Sequence, residues 1–83
     1  MKIIPVTQKH IKNGRQNDAR LCPIALAIRD KYSNIDTLFV ETDEICIDYN
    51  YYKPSKSVIR FIKKFDKYGE KAVAPFNFKL RQK

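Results

Sequence analysis

Residues 37–51, TLFVETDEICIDYNY, alternate apolar and polar side chains on both sides of a short acidic segment. Alternation with a period of two is typical of half-buried strands, so this stretch predicts two strands, residues 37–41 and 45–51, joined by Thr42-Asp43-Glu44. The apolar faces of this acidic hairpin would carry Leu38 and Val40 on the first strand and Ile45, Ile47, Tyr49 and Tyr51 on the second.

A helix and a final strand are predicted downstream of the hairpin. Pro54 closes the hairpin, and Ser55 or Ser57 would cap a helix that runs to about Tyr68 and ends at Gly69. The buried stripe of this helix would consist of Val58, Ile59, Phe61, Ile62 and Phe65. Residues 76–81, FNFKLR, alternate strictly between apolar and polar side chains and predict a strand.

Upstream of the hairpin the pattern predicts a strand and two helices. Residues 2–6 favour a short edge strand, because Pro5 cannot donate a hydrogen bond to a neighbouring strand. Thr7 would then cap a helix over residues 8–13 that ends at Gly14 in a left-handed conformation. A second helix would begin at Cys22-Pro23 and end at Ser33-Asn34, and its buried face would carry Leu21, Ile24, Ala25, Ala27, Ile28 and Tyr32.

These elements predict a small α+β fold with the order β-α-α-β-β-α-β. A mostly antiparallel sheet with the helices packed on one of its faces would bury every apolar stripe in two layers. The chain has 83 residues, too few for a second independent core, so residues 1–83 are expected to form a single domain.

The charge of the chain is high and unevenly distributed. The formal net charge is +8, yet residues 32–52 contain five acidic residues and no Lys or Arg. The electrostatic field of such an uneven charge distribution would attract anionic partners to one part of the surface. No signal peptide and no apolar run long enough for a membrane span are found, so we expect a cytoplasmic protein without a membrane partner. Cys22 and Cys46 are then expected to be reduced.

The third predicted helix carries the strongest functional signal. Lys56, Arg60, Lys63 and Lys67 follow spacings of four, three and four, which places them in one line along a helix with Lys64 beside them. A row of phosphates would relieve the repulsion between these like charges. Lys79 and Arg81 would extend this anion-binding patch if the last strand lies nearby. The alternative is a lysine-rich solvated helix face without a partner.

Other residues that could bind a ligand or react give weaker functional signals. Tyr49, Tyr51 and Tyr52 could stack on bases or line a ligand pocket, but alternation favours a core position for the first two. His10 is expected on a short exposed helix with no partner fixed by sequence. Cys22 could have a lowered thiol pKa at a helix N-terminus near Arg20, although a small buried cap residue is the favoured interpretation. No catalytic residue, metal site or cofactor is therefore assigned.

The chain also resembles a family of short, uncharacterised phage and prophage proteins over most of its length. The resemblance is carried by Val6-Thr7-Gln8-Lys9-His10-Ile11 with Gly14, Cys22-Pro23-Ile24-Ala25-Leu26-Ala27, Val58, Phe61-Ile62 with Phe65-Asp66, and Pro75-Phe76-Asn77-Phe78-Lys79-Leu80. Members often have a cysteine three residues before the Cys-Pro pair, where this chain has Ala19. The resemblance implies an accessory protein that acts by binding a host enzyme or defence complex, a nucleotide signal or nucleic acid.

The leading hypothesis is a phage-type, non-enzymatic binding protein that counters a host process such as a defence system. Its anionic partner would be nucleic acid, a nucleotide signal or a host protein complex. The alternative is a nucleic-acid-binding or regulatory module that serves the phage itself. Two further possibilities are an acidic hairpin that mimics nucleic acid phosphates and an enzyme that uses Cys22 and His10. A homodimer, in which the acidic hairpin of one copy meets the basic helix of another, is also open.

Overall fold

The computed structural model describes residues 3–82 and confirms the α+β class. The elements are β1 Ile3–Val6, α1 Gln8–Asn13, α2 Pro23–Lys31, β2 Leu38–Val40, β3 Ile45–Ile47, β4 Asn50–Lys53, α3 Lys56–Tyr68, β5 Phe76–Lys79 and β6 Arg81–Gln82. A single 3-10 turn, Glu70–Ala72, separates α3 from β5. The predicted start of the first strand at Lys2 lies outside the described residues.

The strands form two antiparallel sheets rather than the one sheet that was expected. One sheet pairs β1 with β5, and the other has the order β2-β3-β4-β6. The last predicted strand therefore divides: Lys79 is the register partner of Ile3, whereas Arg81 is the partner of Lys53. Leu80, between the two, is only 5% exposed. The side chains continue to alternate between the two faces through Leu80. The backbone, in contrast, pairs with β1 before Leu80 and with β4 after it.

The predicted strand over residues 45–51 is broken by a tight turn at Asp48 and Tyr49. Both residues have positive φ, 47° and 69°, and the chain reverses so that Cys46 becomes the register partner of Tyr51. Tyr49 and Tyr51 are consequently 78% and 49% exposed. The expectation that these two tyrosines share the core face was wrong, because the reversal places Tyr51 on the outward face of the sheet and Tyr52 on the inward one.

The helix starts were predicted correctly, but the reason for Gly14 was not. Thr7 accepts the N3 backbone N–H of α1, and Pro23 occupies the first turn of α2. Gly14 has φ −74° and ψ 157°, so it is extended and not left-handed. A Cβ at this position would lie 2.5 Å from Cδ of Pro23. Glycine is therefore required here by the close approach of the proline ring.

One hydrophobic cluster joins both sheets and all three described helices. It includes residues from α2, from the buried stripe of α3 and from the inward faces of both sheets, among them Ile4, Ile11, Ile28, Leu38, Ile45, Phe61, Phe65 and Phe78. Leu21 was expected in this core and is instead 38% exposed, because it precedes the first turn of α2. None of the helices between residues 3 and 82 combines the length and the apolar composition needed to cross a lipid bilayer.

Candidate functional site

Helix α3 presents four cations on the side opposite to its buried stripe. Ser55 caps the helix by accepting the N–H of Val58 at 3.3 Å, and its buried side chains are Val58, Phe61, Ile62 and Phe65. At 3.6 residues per turn, Lys56, Arg60, Lys63 and Lys67 fall within an arc of about 60° that is centred opposite this stripe. We call these four residues the basic line. All four are exposed.

The basic line is not neutralised by described carboxylates. No ion pair within residues 3–82 joins any of its four members to an acidic side chain. Asp66 is the single acidic residue of α3, and its carboxylate accepts the backbone N–H of Asn17 at 2.8 Å. The ammonium of Lys67 lies 5.3 Å from the ring centroid of Tyr68. Over eleven residues the line extends about 16 Å along the helix axis.

Lys64 lies beside the basic line, at the edge of a groove between α3 and the segment that leads into β5. The groove has a volume of about 370 Å³ and is lined by Ser57, Arg60, Phe61, Lys64, Ala72, Val73, Ala74 and Phe76. The rings of Phe61 and Phe76, with centroids 5.1 Å apart, are among its lining groups. Arg60 and Lys64 therefore flank an apolar surface next to the line of cations.

Lys79 and Arg81 do not extend the basic line. Phe61 of α3 contacts Phe76, which, like Phe78, lies on the inward face of the two-stranded sheet, whereas Lys79 alternates to its outward face. Arg81 pairs with Lys53 on the outward face of the four-stranded sheet. The structure thus brings together the five predicted cations of α3 and leaves the two strand cations on other surfaces.

A second groove lies on the outward face of the four-stranded sheet. It has a volume of about 310 Å³ and is lined by Thr37, Phe39, Glu41, Glu44, Cys46, Tyr49 and Tyr51. We call it the acidic-aromatic groove. Sequence reasoning favoured a core position for Tyr49 and Tyr51 over a pocket-lining role and therefore did not predict this groove. The available signal was Asp48-Tyr49-Asn50, whose polar residues permit a two-residue turn without containing the usual glycine.

His10 is a buried structural residue, contrary to the exposed position that was expected. It is 7% exposed, its Nδ1 accepts the backbone N–H of Thr7 at 3.0 Å, and its Nε2 is hydrogen-bonded to the carboxylate of Asp30. Because Nδ1 accepts, the proton belongs on Nε2, which donates to Asp30. Nδ1 therefore completes the cap of α1, and Nε2 holds α1 against α2.

Cys22 is buried and its thiol pKa is raised, not lowered. Burial raises the pKa of Cys22 to about 11, and the backbone N–H groups of Ala25 and Ile24 oppose this shift without cancelling it. The helix N-terminus and Arg20 do not produce a reactive thiolate, because the cost of burying a charged sulfur is larger. Cys22 and Cys46 are both free cysteines.

Within the described part of the chain, no three His, Cys, Asp or Glu side chains converge in a way that could hold a metal ion. Comparison of the sequence and structure with known protein families, curated proteins and solved structures produced no match.

Proposed function

We propose that this chain is a non-enzymatic binding protein that holds an anionic partner on the basic line of α3. The observation that carries the proposal is the exposure of four cations in one arc, with no described carboxylate paired to them. Following the resemblance, the protein would serve a phage inside the host cell and counter a host process such as a defence system. The partner would be nucleic acid, a nucleotide signal or a host protein complex.

The energetics of α3 support a binding role for these cations. Like charges at spacings of three and four residues destabilise a helix by about 0.2–0.5 kcal/mol per pair. Lys56 with Arg60, Arg60 with Lys63 and Lys63 with Lys67 form three such pairs. Phosphates or carboxylates of a partner would convert this repulsion into attraction. Binding would also release condensed counterions if the partner is a nucleic acid.

The second candidate is a nucleic-acid-binding or regulatory module that acts on the phage's own DNA or RNA. The length of the basic line, about 16 Å, favours a nucleic acid partner over a free nucleotide, because it allows contact with several consecutive phosphates. A free nucleotide would engage only part of the line. Affinity for DNA therefore separates the nucleic acid partner from the nucleotide and protein partners.

The proposal is tested with the double variant Arg60→Glu/Lys63→Glu. The matched control is Lys12→Glu/Lys79→Glu, which makes the same change in net charge at exposed positions outside α3. We expect wild type and control to retain the anionic partner that co-purifies from infected cells, and the α3 variant to lose it. The melting temperature of the α3 variant should stay close to that of wild type. Equal retention by all three proteins would overturn the proposal.

Fluorescence anisotropy with a short DNA duplex and a short single strand assigns the class of partner. For a nucleic acid partner, log K should fall with log salt between about 50 and 200 mM, with a slope near −0.9 for each duplex phosphate contacted. The α3 double variant should reduce the slope by about 2. Absence of DNA binding at low salt, together with retention of a nucleotide or protein through Arg60 and Lys63, would assign the partner to one of those two classes.

A further inference from the structure

The acidic-aromatic groove combines the two features that recognise a guanidinium. Phe39, Tyr49 and Tyr51 are the aromatic residues, and Glu41 and Glu44 the acidic residues, that line the same groove. A guanidinium stacks on aromatic rings and pairs with a carboxylate through two parallel hydrogen bonds. We infer that this groove is a second interaction surface, which receives an arginine side chain from a protein partner.

The charged residues that line the groove, Glu41 and Glu44, are complementary to such a side chain. Residues 32–52 contain five acids and no Lys or Arg, although the whole chain carries a net charge of +8. Glu41 is exposed, and its backbone N–H donates to the carbonyl of Glu44 at 2.9 Å. This hydrogen bond closes the turn between β2 and β3 and fixes the backbone from which both carboxylates extend.

The chain already places one of its own guanidinium groups on an aromatic ring of this groove. The guanidinium carbon of Arg20 lies 4.6 Å from the ring centroid of Phe39. Arg20 itself is exposed and comes from the loop before α2. The contact between Arg20 and Phe39 is therefore of the same kind as the contact that we infer for the partner's arginine. Tyr49 and Tyr51 extend the aromatic surface beyond Phe39.

Tyr49 is held on the rim of the groove by a preorganised turn. Its φ of 69° is unfavourable for a residue with a Cβ, and its side chain is 78% exposed. Asp48 secures the turn, because its carboxylate accepts the backbone N–H groups of Asp36 and Thr37 at 2.9 Å each. An exposed aromatic residue in a strained and well-anchored conformation is consistent with selection for contact rather than for stability.

The size of the groove favours a single side chain over a larger ligand. Its volume of about 310 Å³ is at the lower end of the range for small-molecule sites. The groove and the basic line both face away from the shared hydrophobic core, which includes Val40 and Ile45 of the sheet and Phe65 of α3. The protein could thus hold an anionic partner and an arginine-bearing partner at the same time.

The probe for this inference is a short acetylated and amidated peptide with one central arginine and no other charge. Two matched peptides carry lysine or citrulline in its place. Titration into the isotopically labelled full-length chain should shift the backbone NMR signals of Phe39, Cys46 and Tyr51. We expect arginine to bind best, and citrulline, which keeps the planar shape without the charge, to bind at least about tenfold more weakly.

Variants separate this surface from the basic line. Glu41→Gln and Tyr49→Gly should each weaken binding of the arginine peptide by about fivefold or more. Tyr49→Gly should also leave the chain at least as stable as wild type, because glycine tolerates the positive φ. Arg60→Glu/Lys63→Glu should bind the peptide as well as wild type does, so failure of the proposed function would not affect this result.

Three outcomes would overturn the inference. The first is equal binding of the arginine and citrulline peptides, and the second is the absence of any shift at Phe39, Cys46 and Tyr51. The third is a shift of these signals that occurs without peptide, increases with protein concentration and is abolished by Lys63→Glu. That last result would show that the groove is occupied by α3 of a second copy.

Discussion

At the scale of single residues, the two glycines of the chain are required for different physical reasons. Gly14 has an ordinary φ, but a Cβ there would lie 2.5 Å from the ring of Pro23. Gly69 has φ 86° and ψ −167°, while a Cβ there would be 3.8 Å from its nearest neighbour, a side-chain atom of Gln16. The first position lacks space, and the second has a backbone conformation open essentially to glycine alone.

Gly14→Ala and Gly69→Ala should therefore respond differently to a second substitution. Each is expected to reduce the free energy of unfolding by about 1–3 kcal/mol. Pro23→Ala should relieve only part of the cost of Gly14→Ala, because it removes Cγ and Cδ of the ring but leaves the backbone nitrogen of residue 23, which lies 2.7 Å from the position of the new Cβ. Gln16→Ala should not relieve Gly69→Ala. Urea denaturation of the two double-mutant cycles measures the couplings, and additive effects at 14 and 23 would contradict the steric explanation.

Cys22 predicts a specific dependence of stability on pH. Its pKa is raised from an ordinary value of 9.0 to about 11, so the unfolded thiol ionises at lower pH than the folded one. The stabilisation is complete below about pH 9 and is lost as the pH rises towards about 11. The stability advantage of wild type over Cys22→Ala should shrink by roughly 2 kcal/mol across this range. A difference that does not change with pH would contradict the burial of a neutral thiol.

At the scale of elements, α1 depends on its contact with α2. A helix of six residues has little stability of its own. His10 compensates in two ways: it completes the cap by accepting the N–H of Thr7, and it is hydrogen-bonded to Asp30 of α2. Ile11, 1% exposed, adds the apolar contact. The position of α1 is thus determined by side chains that lie twenty residues apart in sequence.

His10→Ala should therefore destabilise the chain more than Asp30→Ala does. Loss of the buried ring and of the cap is expected to cost about 2 kcal/mol. Loss of the carboxylate, whose side chain is 72% exposed, should cost less than about 1 kcal/mol. Thermal unfolding measures the loss of stability in each variant, and hydrogen exchange of the α1 amides shows whether this loss is located in α1. Equal costs for the two variants would show that the hydrogen bond to Asp30, rather than the cap, dominates.

At the scale of the whole molecule, Leu80 connects the two sheets. It stands between β5 and β6, which belong to different sheets, and its side chain is 5% exposed. Leu80→Ala should reduce the free energy of unfolding by about 2–5 kcal/mol. Hydrogen exchange should become faster in both sheets, whereas Asn77→Ala, at an exposed position of β5, should leave both unchanged. Faster exchange in only one sheet would show that the sheets unfold independently.

The helices and the basic line were accessible from sequence, because both depend on the spacing of neighbouring residues. The spacings of Lys56, Arg60, Lys63 and Lys67 determine where these side chains lie on any helix, whatever the rest of the fold. The positions of Lys79 and Arg81 could not be obtained in this way. They depend on which distant strand each residue pairs with, Ile3 or Lys53.

The sequence by itself determined the α+β class, the helix starts at Thr7 and Pro23, the start of the third helix to within Ser55 or Ser57, and the alignment of the α3 cations. Only the tertiary structure decided that the chain reverses at Asp48, since that turn is held by the amides of Asp36 and Thr37. The physical reason is the range of the interactions. Helical periodicity and caps act within a few residues, whereas the turn and the acidic-aromatic groove that it creates require segments brought together by the core.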